Sequence, residues 1–241
     1  MGTEKRESIG AEYIRRTAYS RAMWGDKPRL VQPAEPPAAT PVALRKPEEI
    51  AKVSIWDAIA RRRSERDYSG NPLTIDELSR LVWAAQGITG EAGGYRLRAA
   101  PSAGALYPIE TYLVVNNVGD VPPGVYRYDV PRTELVPVRL GDYRQAVCAA
   151  ALDQVMARDA AVVFIWTAVI ARSRGKYKER AYRYIFVDAG HIGQNVSLAA
   201  TAMGLGCCMI GALFDDEVNA LVGADGENEF AVYMATVGSC Q

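Results

Sequence analysis

The sequence predicts an α+β domain in which helices flank a mixed or antiparallel β-sheet. Strand-like runs follow one another closely between residues 109 and 140, at a spacing typical of hairpins. Long helical patterns lie on both sides of these runs. The regular alternation of strand and helix that builds a parallel sheet is absent from the sequence. These three observations together favour an antiparallel or mixed sheet over a parallel one.

Composition indicates a folded chain and excludes several classes of protein. The 241 residues are 49% hydrophobic and 23% charged, which suits one large or two small domains and excludes a disordered chain. With 28 basic and 28 acidic side chains the formal net charge is zero, so we expect no nucleic-acid partner. The longest apolar run, 160–170, is too short to cross a membrane, and the first residues lack an apolar signal core. We therefore expect a cytoplasmic protein with no membrane partner.

Proline content divides the chain into three parts. Residues 1–24 predict an N-terminal helix, carried by an apolar stripe over 8–24. Six prolines then fall between positions 28 and 47, a density that no helix or central strand tolerates, so 25–53 is predicted to be an extended arm. The arm is expected to wrap either over a neighbouring subunit or over its own surface. The remaining 54–241 is predicted to form one domain.

Helix signals and strand-like runs follow each other along this domain. Ser54 has the side chain of an N-cap, and Thr74 with Glu77 forms a capping-box sequence for the next helix. The glycine-rich stretch 87–108 is predicted to be a loop. Further helices are predicted over 142–155, 179–203 and 215–221, and strands over 109–115, 124–128, 134–140, 160–170, 207–213 and 229–237.

Cysteine and histidine are too scarce for several kinds of site. The four cysteines have no spacing suited to zinc, so we expect reduced, structural thiols and no metal centre. His191 is the only histidine, and no nucleophile-elbow sequence accompanies it. We expect His191 to be buried in a helix and hydrogen-bonded to neighbours near Asp188 and Asn195. The glycine patterns of Rossmann and P-loop nucleotide sites are also absent from the sequence.

The first stretch that could bind a ligand is 61–66, with the sequence RRRSER. Four arginines and Ser64 lie at the end of an apolar-faced helix, and the forked donors of arginine match phosphate oxygens. The same pattern also suits a cationic helix C-terminus that balances the dipole of its own helix.

Two further stretches combine glycine with other small residues. In 101–108, PSAGALYP, small side chains would let the backbone approach a flat ligand and Ser102 offers a polar contact, although an ordinary loop before a strand has the same composition. In 204–211, GLGCCMIG, a helix ends and a strand begins, and Gly211 leaves an N–H unshielded that could donate to a ring nitrogen. A helix C-cap followed by a strand explains the first half of this stretch equally well.

Together these stretches resemble the nitroreductase-like family of FMN oxidoreductases and, within it, the azole-forming SagB-type dehydrogenases. RRRSERDY resembles the phosphate-binding motif of the family, and PSAGALYPIE resembles the flavin-contacting loop of that branch. YRYIFVDAGHIGQN, followed by SLAATAMGLGCCMIGAL, resembles its central helix and second flavin stretch. The resemblance covers about 54–238.

The resemblance implies an intertwined homodimer with FMN bound at the subunit interface. The residues it assigns to the flavin phosphate and ribityl chain are Arg62, Arg63, Ser64 and Arg66. Those it assigns to the isoalloxazine, across the dimer, are Pro101, Ser102, Ala103 and Gly104. Those it assigns to the N5 edge are Ile210 and Gly211. Many family members carry a basic residue after the final Val-Gly, where this chain has Ser239, so phosphate binding is expected to depend on the arginines.

The implied activity is an FMN-dependent oxidoreduction, with hydride transfer at flavin N5 and a small molecule or peptide as substrate. Lys176 and Tyr177 match a Lys-Tyr pair of the branch, and Tyr177 is the candidate base that removes a carbon-bound proton. An exposed turn in RSRGKYKER is the alternative interpretation of these two residues. Two other functions remain open: an NAD(P)H-dependent reductase of nitro compounds or quinones, and a flavin carrier or sensor without turnover.

Overall fold

The computed structural model describes residues 8–32, 34–47 and 53–240. Within these ranges the helices are α1 (Ile9–Thr17), α2 (Ile55–Arg61), α3 (Ile75–Gln86), α4 (Arg144–Ala150), α5 (Val155–Asp159), α6 (Ile170–Tyr177), α7 (Ala181–Ala202) and α8 (Asp215–Val222). The strands are β1 (Val42–Ala43), β2 (Ile88–Ala92), β3 (Tyr95–Arg98), β4 (Ile109–Val115), β5 (Gly124–Asp129), β6 (Glu134–Leu140), β7 (Val162–Val169), β8 (Leu205–Ile210) and β9 (Glu229–Ser239). Short 3₁₀ turns cover Arg21–Trp24, Ala103–Ala105 and Lys178–Arg180.

Seven strands form one central sheet in the order β1-β6-β5-β4-β7-β9-β8. Every neighbouring pair in this sheet is antiparallel, and β4 pairs with β7 in unbroken register from Ile109 opposite Ala168 to Val115 opposite Val162. The remaining strands, β2 and β3, form a separate hairpin. The predicted α+β class with a helix-flanked sheet is confirmed, and the sheet is antiparallel throughout.

The sheet is covered on both faces, which explains its continuous apolar strands. Phe164 and Trp166 of β7 pack with α3 and α7, whereas Val163 and Ile165 pack on the other face with α4, α5 and α8. A strand buried on both faces carries apolar residues at nearly every position, as the run 160–170 does with the single exception of Thr167. The capping box of α3 is also formed, with Thr74 and Glu77 each bonding the other's backbone.

The N-terminal part of the chain departs from the predicted helix. Helix α1 ends at Thr17 because Ala18 has an extended backbone. The break turns Arg21 inward, where it is 4% exposed and its Nε lies 2.6 Å from Glu217 Oε1. Its Nη1 also lies 2.8 Å from Asp153 Oδ2. A buried ion pair of this kind can exist only if the helix stops before it.

The proline-rich arm lies over the surface of its own chain. The Arg29 N–H donates to Glu217 Oε1 at 2.8 Å, and the Arg139 guanidinium donates to the carbonyl of Gln32 at 2.8 Å. Strand β1 then pairs with the edge strand β6. An edge position suits a proline-rich segment because the missing N–H groups face away from the sheet. Parts of the predicted arm and N-terminal segment, residues 1–7, 33 and 48–52, lie outside the described residues.

Three local predictions in the body were wrong. The predicted loop 87–108 contains the hairpin β2–β3, which turns at Gly93 and Gly94 with φ of +58° and +80°. The helix predicted over 142–155 is divided into α4 and α5, because Leu152 and Asp153 both have φ of +56°. The exposed turn considered for RSRGKYKER is instead helix α6 for most of its length. No helix in the described ranges is long and apolar enough to cross a membrane.

Candidate functional site

Helix α7 positions two of the predicted ligand-binding stretches. Near its start, Asp188 accepts hydrogen bonds from Ser102 Oγ at 2.6 Å and from the Ala103 N–H at 3.2 Å. Further along, a Cβ added to Gly193 would lie 3.2 Å from Met209 Sδ of β8. At a rise of about 1.5 Å per residue, these two contacts lie roughly 7–8 Å apart along the helix. Loop 101–107 and strand β8 are therefore held on the same helix.

Loop 101–107 has a constrained backbone. Gly104, Ala105 and Tyr107 have φ of +64°, +54° and +46°, and the last two are not glycine. A left-handed residue with a Cβ costs about 1–2 kcal/mol, so other contacts must hold the loop. Ser102 Oγ supplies them by donating to Asp188 and accepting from the Tyr107 N–H at 2.9 Å. The Ser102 hydroxyl was predicted to contact a ligand, but in the structure it is hydrogen-bonded to Asp188 of α7 and to Tyr107 of its own loop.

Asp188 was not predicted as part of the site. Its side chain is buried, and desolvation raises the pKa of the carboxyl, while the bonds from Ser102 and the Ala103 N–H oppose that shift. A buried carboxylate needs such partners. The sequence signal that could have found it is an aspartate on the buried face of an otherwise apolar helix.

Lys176 and Tyr177 lie directly against the same loop. A Cβ placed on Gly104 would lie 2.5 Å from Tyr177 Oη and 2.7 Å from Lys176 Nζ, so these two side-chain ends would have to shift, and the φ of +64° also favours glycine. Tyr177 is half-buried, and its ring packs edge-on against Tyr184 with the centroids 4.8 Å apart. The structure therefore brings together two predicted stretches, 101–104 and 176–177, that are far apart in the sequence.

The arginine stretch lies at the sheet edge formed by β8. The Glu65 N–H donates to the carbonyl of Cys207 at 3.0 Å, which fixes the segment after α2 to this strand. Arg63 Nη1 donates to the carbonyl of Arg62 at 2.7 Å, and Arg66 Nη1 donates to that of Ser64 at 3.2 Å. Within the described part of the chain, neither guanidinium is paired with a carboxylate, and both side chains are exposed. Arg62 is half-buried and lies close enough to Cys207 to lower the pKa of its thiol slightly against the larger effect of burial.

The end of strand β8 presents a free backbone donor. The outward carbonyl of Cys207 receives the Glu65 bond, so the backbone groups of Met209 point the same way, because direction alternates along an antiparallel edge strand. If this alternation continues one residue past the end of β8, the N–H of Gly211 also points outward. The Gly211 N–H bonds no backbone acceptor in the described ranges. A Cβ on Gly211 would meet only Tyr233 Cε2, at 3.9 Å. The side chain of Ile210 is buried, so this residue can offer a ligand only its backbone.

Histidine and cysteine do not contribute reactive groups at this site. Burial raises the pKa of the Cys207 thiol to about 12, which keeps it protonated at neutral pH. All four cysteines are free, as predicted. The prediction for His191 was wrong, because the residue is exposed. His191 lies on the solvent-facing side of α7. The Asn195 amide, which was expected near His191, donates to the carbonyl of Ala84 at 3.1 Å.

Comparison with known proteins agrees with this architecture. The model of the Nitroreductase family matches residues 59–239. A nitroreductase-family protein of Methanocaldococcus jannaschii is 37% identical over 174 residues, which cover 72% of this chain and 86% of that protein. Two proteins of Rhizobium leguminosarum bv. trifolii are also similar. The trifolitoxin operon protein TfxC is 25% identical over 83% of this chain, and the trifolitoxin-processing protein TfxB is 33% identical over 56%. The matched regions span only 59% and 39% of these two proteins.

Solved structures share the same fold. A nitroreductase-type structure from Anabaena variabilis has a TM-score of 0.67 at 34% identity, covering 78% of this chain and 38% of that one. The Escherichia coli microcin synthetase McbBCD complex, with truncated pro-MccB17 bound, has a TM-score of 0.63 at 21% identity and covers 96% of this chain and 87% of the matched one. The NADPH:FMN oxidoreductase from Vibrio harveyi, complexed with NAD+, has a TM-score of 0.56 at 20% identity, with 78% and 69% covered.

The antiparallel sheet with helices on both faces is the nitroreductase fold, and this defines the class of the protein. The chain belongs to the Nitroreductase family, whose members are oxidoreductases.

Proposed function

We propose that the protein is an FMN-dependent oxidoreductase with hydride transfer at flavin N5. The observation that carries this proposal is the arrangement at the β8 edge. Arg63 and Arg66, which are exposed and have no carboxylate partner among the described residues, and the N–H of Gly211 lie along the same edge. Cations and a backbone donor along one strand edge suit a ligand that carries a phosphate and a flat heteroaromatic ring.

The chemistry of the donor set fits FMN. Arg62, Arg63 and Arg66 would hold the phosphate, with Ser64 adding a hydroxyl donor, and Gly211 would offer its N–H to a ring nitrogen. The contact between the Glu65 N–H and Cys207 ties the arginine segment to the strand that ends at Gly211. Bound FMN supplies the redox chemistry at N5, and the protein binds, orients and tunes it.

Tyr177 and Lys176 are proposed to handle a proton of the substrate. Their polar atoms both lie against Gly104, in a loop whose backbone is fixed by Asp188. In a dehydrogenation, Tyr177 would act as a phenolate, whose negative charge the Lys176 ammonium would stabilise, and its oxygen would accept a proton from a substrate carbon as hydride leaves the same molecule. Loop 101–104 would position the ring, with Pro101 and Gly104 on its exposed side.

We further propose a homodimer that completes the site. Helix α7 carries an exposed stripe at helical spacing that includes Phe186, Val187, Gly190 and His191. Helix α2 packs against α7 and exposes Trp56 to 77%, with Ile55 and Ile59 beside it. An apolar patch on a central helix is typical of a subunit interface. The partner subunit would bring its loop 101–104 to the ring.

The substrate is proposed to be a peptide, in a SagB-type dehydrogenation. The similarity to a trifolitoxin-processing protein and to a microcin synthetase complex bound to pro-MccB17 supports this choice. Lys176 and Tyr177 beside loop 101–104 supply the general base that such a dehydrogenation requires. A small-molecule reductase driven by NAD(P)H is the competing function.

The test combines cofactor content with half-reactions. We expect the purified full chain to carry FMN, recognised by its visible spectrum and by mass spectrometry of the released ligand. Anaerobic NADH and NADPH should bleach the flavin slowly or not at all, whereas an azoline-containing peptide should reduce it. Rapid bleaching by a nicotinamide nucleotide would favour the small-molecule reductase. Bound FMN that neither donor reduces would indicate a carrier, and a chain that binds no FMN would refute the proposal.

A further inference from the structure

A cavity of about 320 Å³ lies between β4, β5 and the start of α6. Three arginines line it: Arg98 from the β2–β3 hairpin, Arg127 from β5 and Arg172 from α6. Tyr107 and Glu110 are among the other polar residues of its wall. None of the three arginines belongs to the proposed phosphate site, so the cavity has no role in the function proposed above.

The cavity carries an excess of positive charge. Glu110 is shared by two cations, with Oε1 at 2.5 Å from Arg172 Nη2 and Oε2 at 3.7 Å from Arg127 Nη1. Asp129 also lines the cavity, but it pairs with Arg132, whose Nη1 lies 3.1 Å away. Three guanidiniums and two carboxylates therefore line the cavity, and among the described residues only Glu110 is paired with the lining arginines.

Glu110 pairs with Arg127 and Arg172, so Arg98 is the arginine of the cavity that forms no ion pair with it in the described part of the chain. Its Nη1 donates to the neutral amide oxygen of Gln86 at 2.6 Å, and its guanidinium stacks 4.4 Å above the ring of Tyr107. Burial lowers the pKa of Arg98, with Arg172 acting in the same direction and Glu110 against it. A half-buried guanidinium with five donors and a neutral partner is built to receive an anion.

The apolar part of the wall indicates the kind of anion. Leu106, Ile109, Val130 and Pro131 line the cavity beside the arginines. A bare inorganic ion would leave this surface unused, whereas a carboxylate attached to a carbon skeleton would contact both parts. The volume accommodates a small organic molecule rather than a single ion.

We propose that this cavity binds an organic carboxylate, held by the forked donors of Arg98 with help from Arg127 and Arg172. Arg172 donates to the carbonyl of Tyr107 at 3.1 Å and lies one helical turn from Lys176 on α6. The bound anion therefore lies beside loop 101–107. Binding at this cavity does not require the flavin, so it can be tested separately from the proposed function.

The test uses benzoate as the probe and isothermal calorimetry on the purified full chain. We expect saturable binding to the wild type and at least a tenfold loss in Arg98→Gln and in Arg127→Gln. Benzamide, which has the same shape without the charge, should not bind. Arg158→Gln is the matched control, since it removes the same charge from an exposed pair, with Asp159, and neither residue lines the cavity. Arg127 is partly exposed at 42%, so its variant tests the site if Arg98→Gln fails to fold.

Three results would overturn the proposal. They are no saturable benzoate binding by the wild type, equal binding of benzamide, or an equal loss in Arg158→Gln. Inorganic phosphate binding more tightly than benzoate would overturn the assignment to a carboxylate. Flavin content, measured on the same samples, should be unchanged in all variants, so failure here is distinguishable from failure of the flavin proposal.

Discussion

Two glycines near the proposed flavin site differ in the space around them. Gly104 has a positive φ and no room for a Cβ, because Tyr177 and Lys176 lie against it. Gly211 has ordinary backbone angles and only Tyr233 nearby, at 3.9 Å. The fold therefore favours glycine at position 104, whereas at 211 the described chain leaves space that a bound ring could use.

Gly211→Val should separate flavin binding from folding. Because the structure has room for the side chain, we expect a wild-type far-UV spectrum with FMN content strongly reduced or flavin reduction slowed. A displacement of about 1 Å at reacting atoms can cost on the order of a hundredfold in rate. Gly90→Val, in open space on the hairpin, is the control. Full FMN content with wild-type reduction would remove Gly211 from the site.

The arginines after α2 should determine the affinity for the phosphate. We expect Arg62→Ala and Arg66→Ala each to weaken FMN binding by about 1.5–3 kcal/mol, the usual loss for a hydrogen bond to a charged group. Fluorescence titration of the flavin-depleted protein measures the change. Arg132→Ala removes an arginine far along the chain and should leave the affinity unaltered. Wild-type affinity in both test variants would contradict the phosphate assignment.

At the scale of elements, helix α8 is joined to the N-terminal segment by charged groups. Asp215 Oδ2 accepts the Tyr19 N–H at 2.9 Å, and Glu217 holds Arg21. Burial raises the pKa of Asp215 from 3.8 to about 6, against the opposing effect of the Tyr19 bond. This junction makes the stability of the N-terminal segment sensitive to pH.

The sign of this pH dependence follows from the raised pKa. The folded state binds the proton of Asp215 more tightly than the unfolded state, so the stabilisation is full below pH 3.8 and is lost as the pH rises through about 6. The change is on the order of 2–3 kcal/mol, at about 1.4 kcal/mol per pKa unit.

In urea unfolding, the difference in the free energy of unfolding between the wild type and Asp215→Asn should fall by this amount from pH 4 to 7. A constant difference would contradict the shift, and Asp76→Asn, an exposed carboxylate, serves as control.

At the scale of the whole molecule, the exposed apolar faces of α2 and α7 are the surface proposed to form the subunit interface. Trp56 is 77% exposed and Val187 49% exposed, although both belong to the ordered body of the domain. Gly190 on the same stripe of α7 has open space where a Cβ would lie. A small residue on an exposed helix face permits close approach of another chain.

Trp56→Lys should therefore dissociate the dimer and release FMN together, because a ligand bound between subunits stabilises their association. Sizing chromatography coupled to light scattering and absorbance at the flavin wavelength reports both changes in one experiment. Leu140→Lys, at an exposed position on β6, should stay dimeric with full FMN. A stable monomer that keeps its FMN would refute the shared site.

Much of the local structure is determined by the sequence alone. The capping box and apolar spacing of α3 and the continuous apolar run of β7 depend on residues only a few positions apart, so their patterns predicted the elements directly. The stretches 61–66, 101–108 and 204–211 stay predicted ligand-binding stretches, singled out because close backbone approach and anion binding require particular residue types.

The tertiary structure alone decided what depends on residues distant in sequence. Helix α1 ends early because Arg21 pairs with Glu217, 196 positions away, and no local pattern encodes that contact. In the same way, the structure revealed that Asp188 fixes Ser102 and that Arg98, Arg127 and Arg172 surround Glu110. The sequence does not show whether a charged side chain is hydrated or paired with a buried partner. Only the order of the strands determines which partner is near.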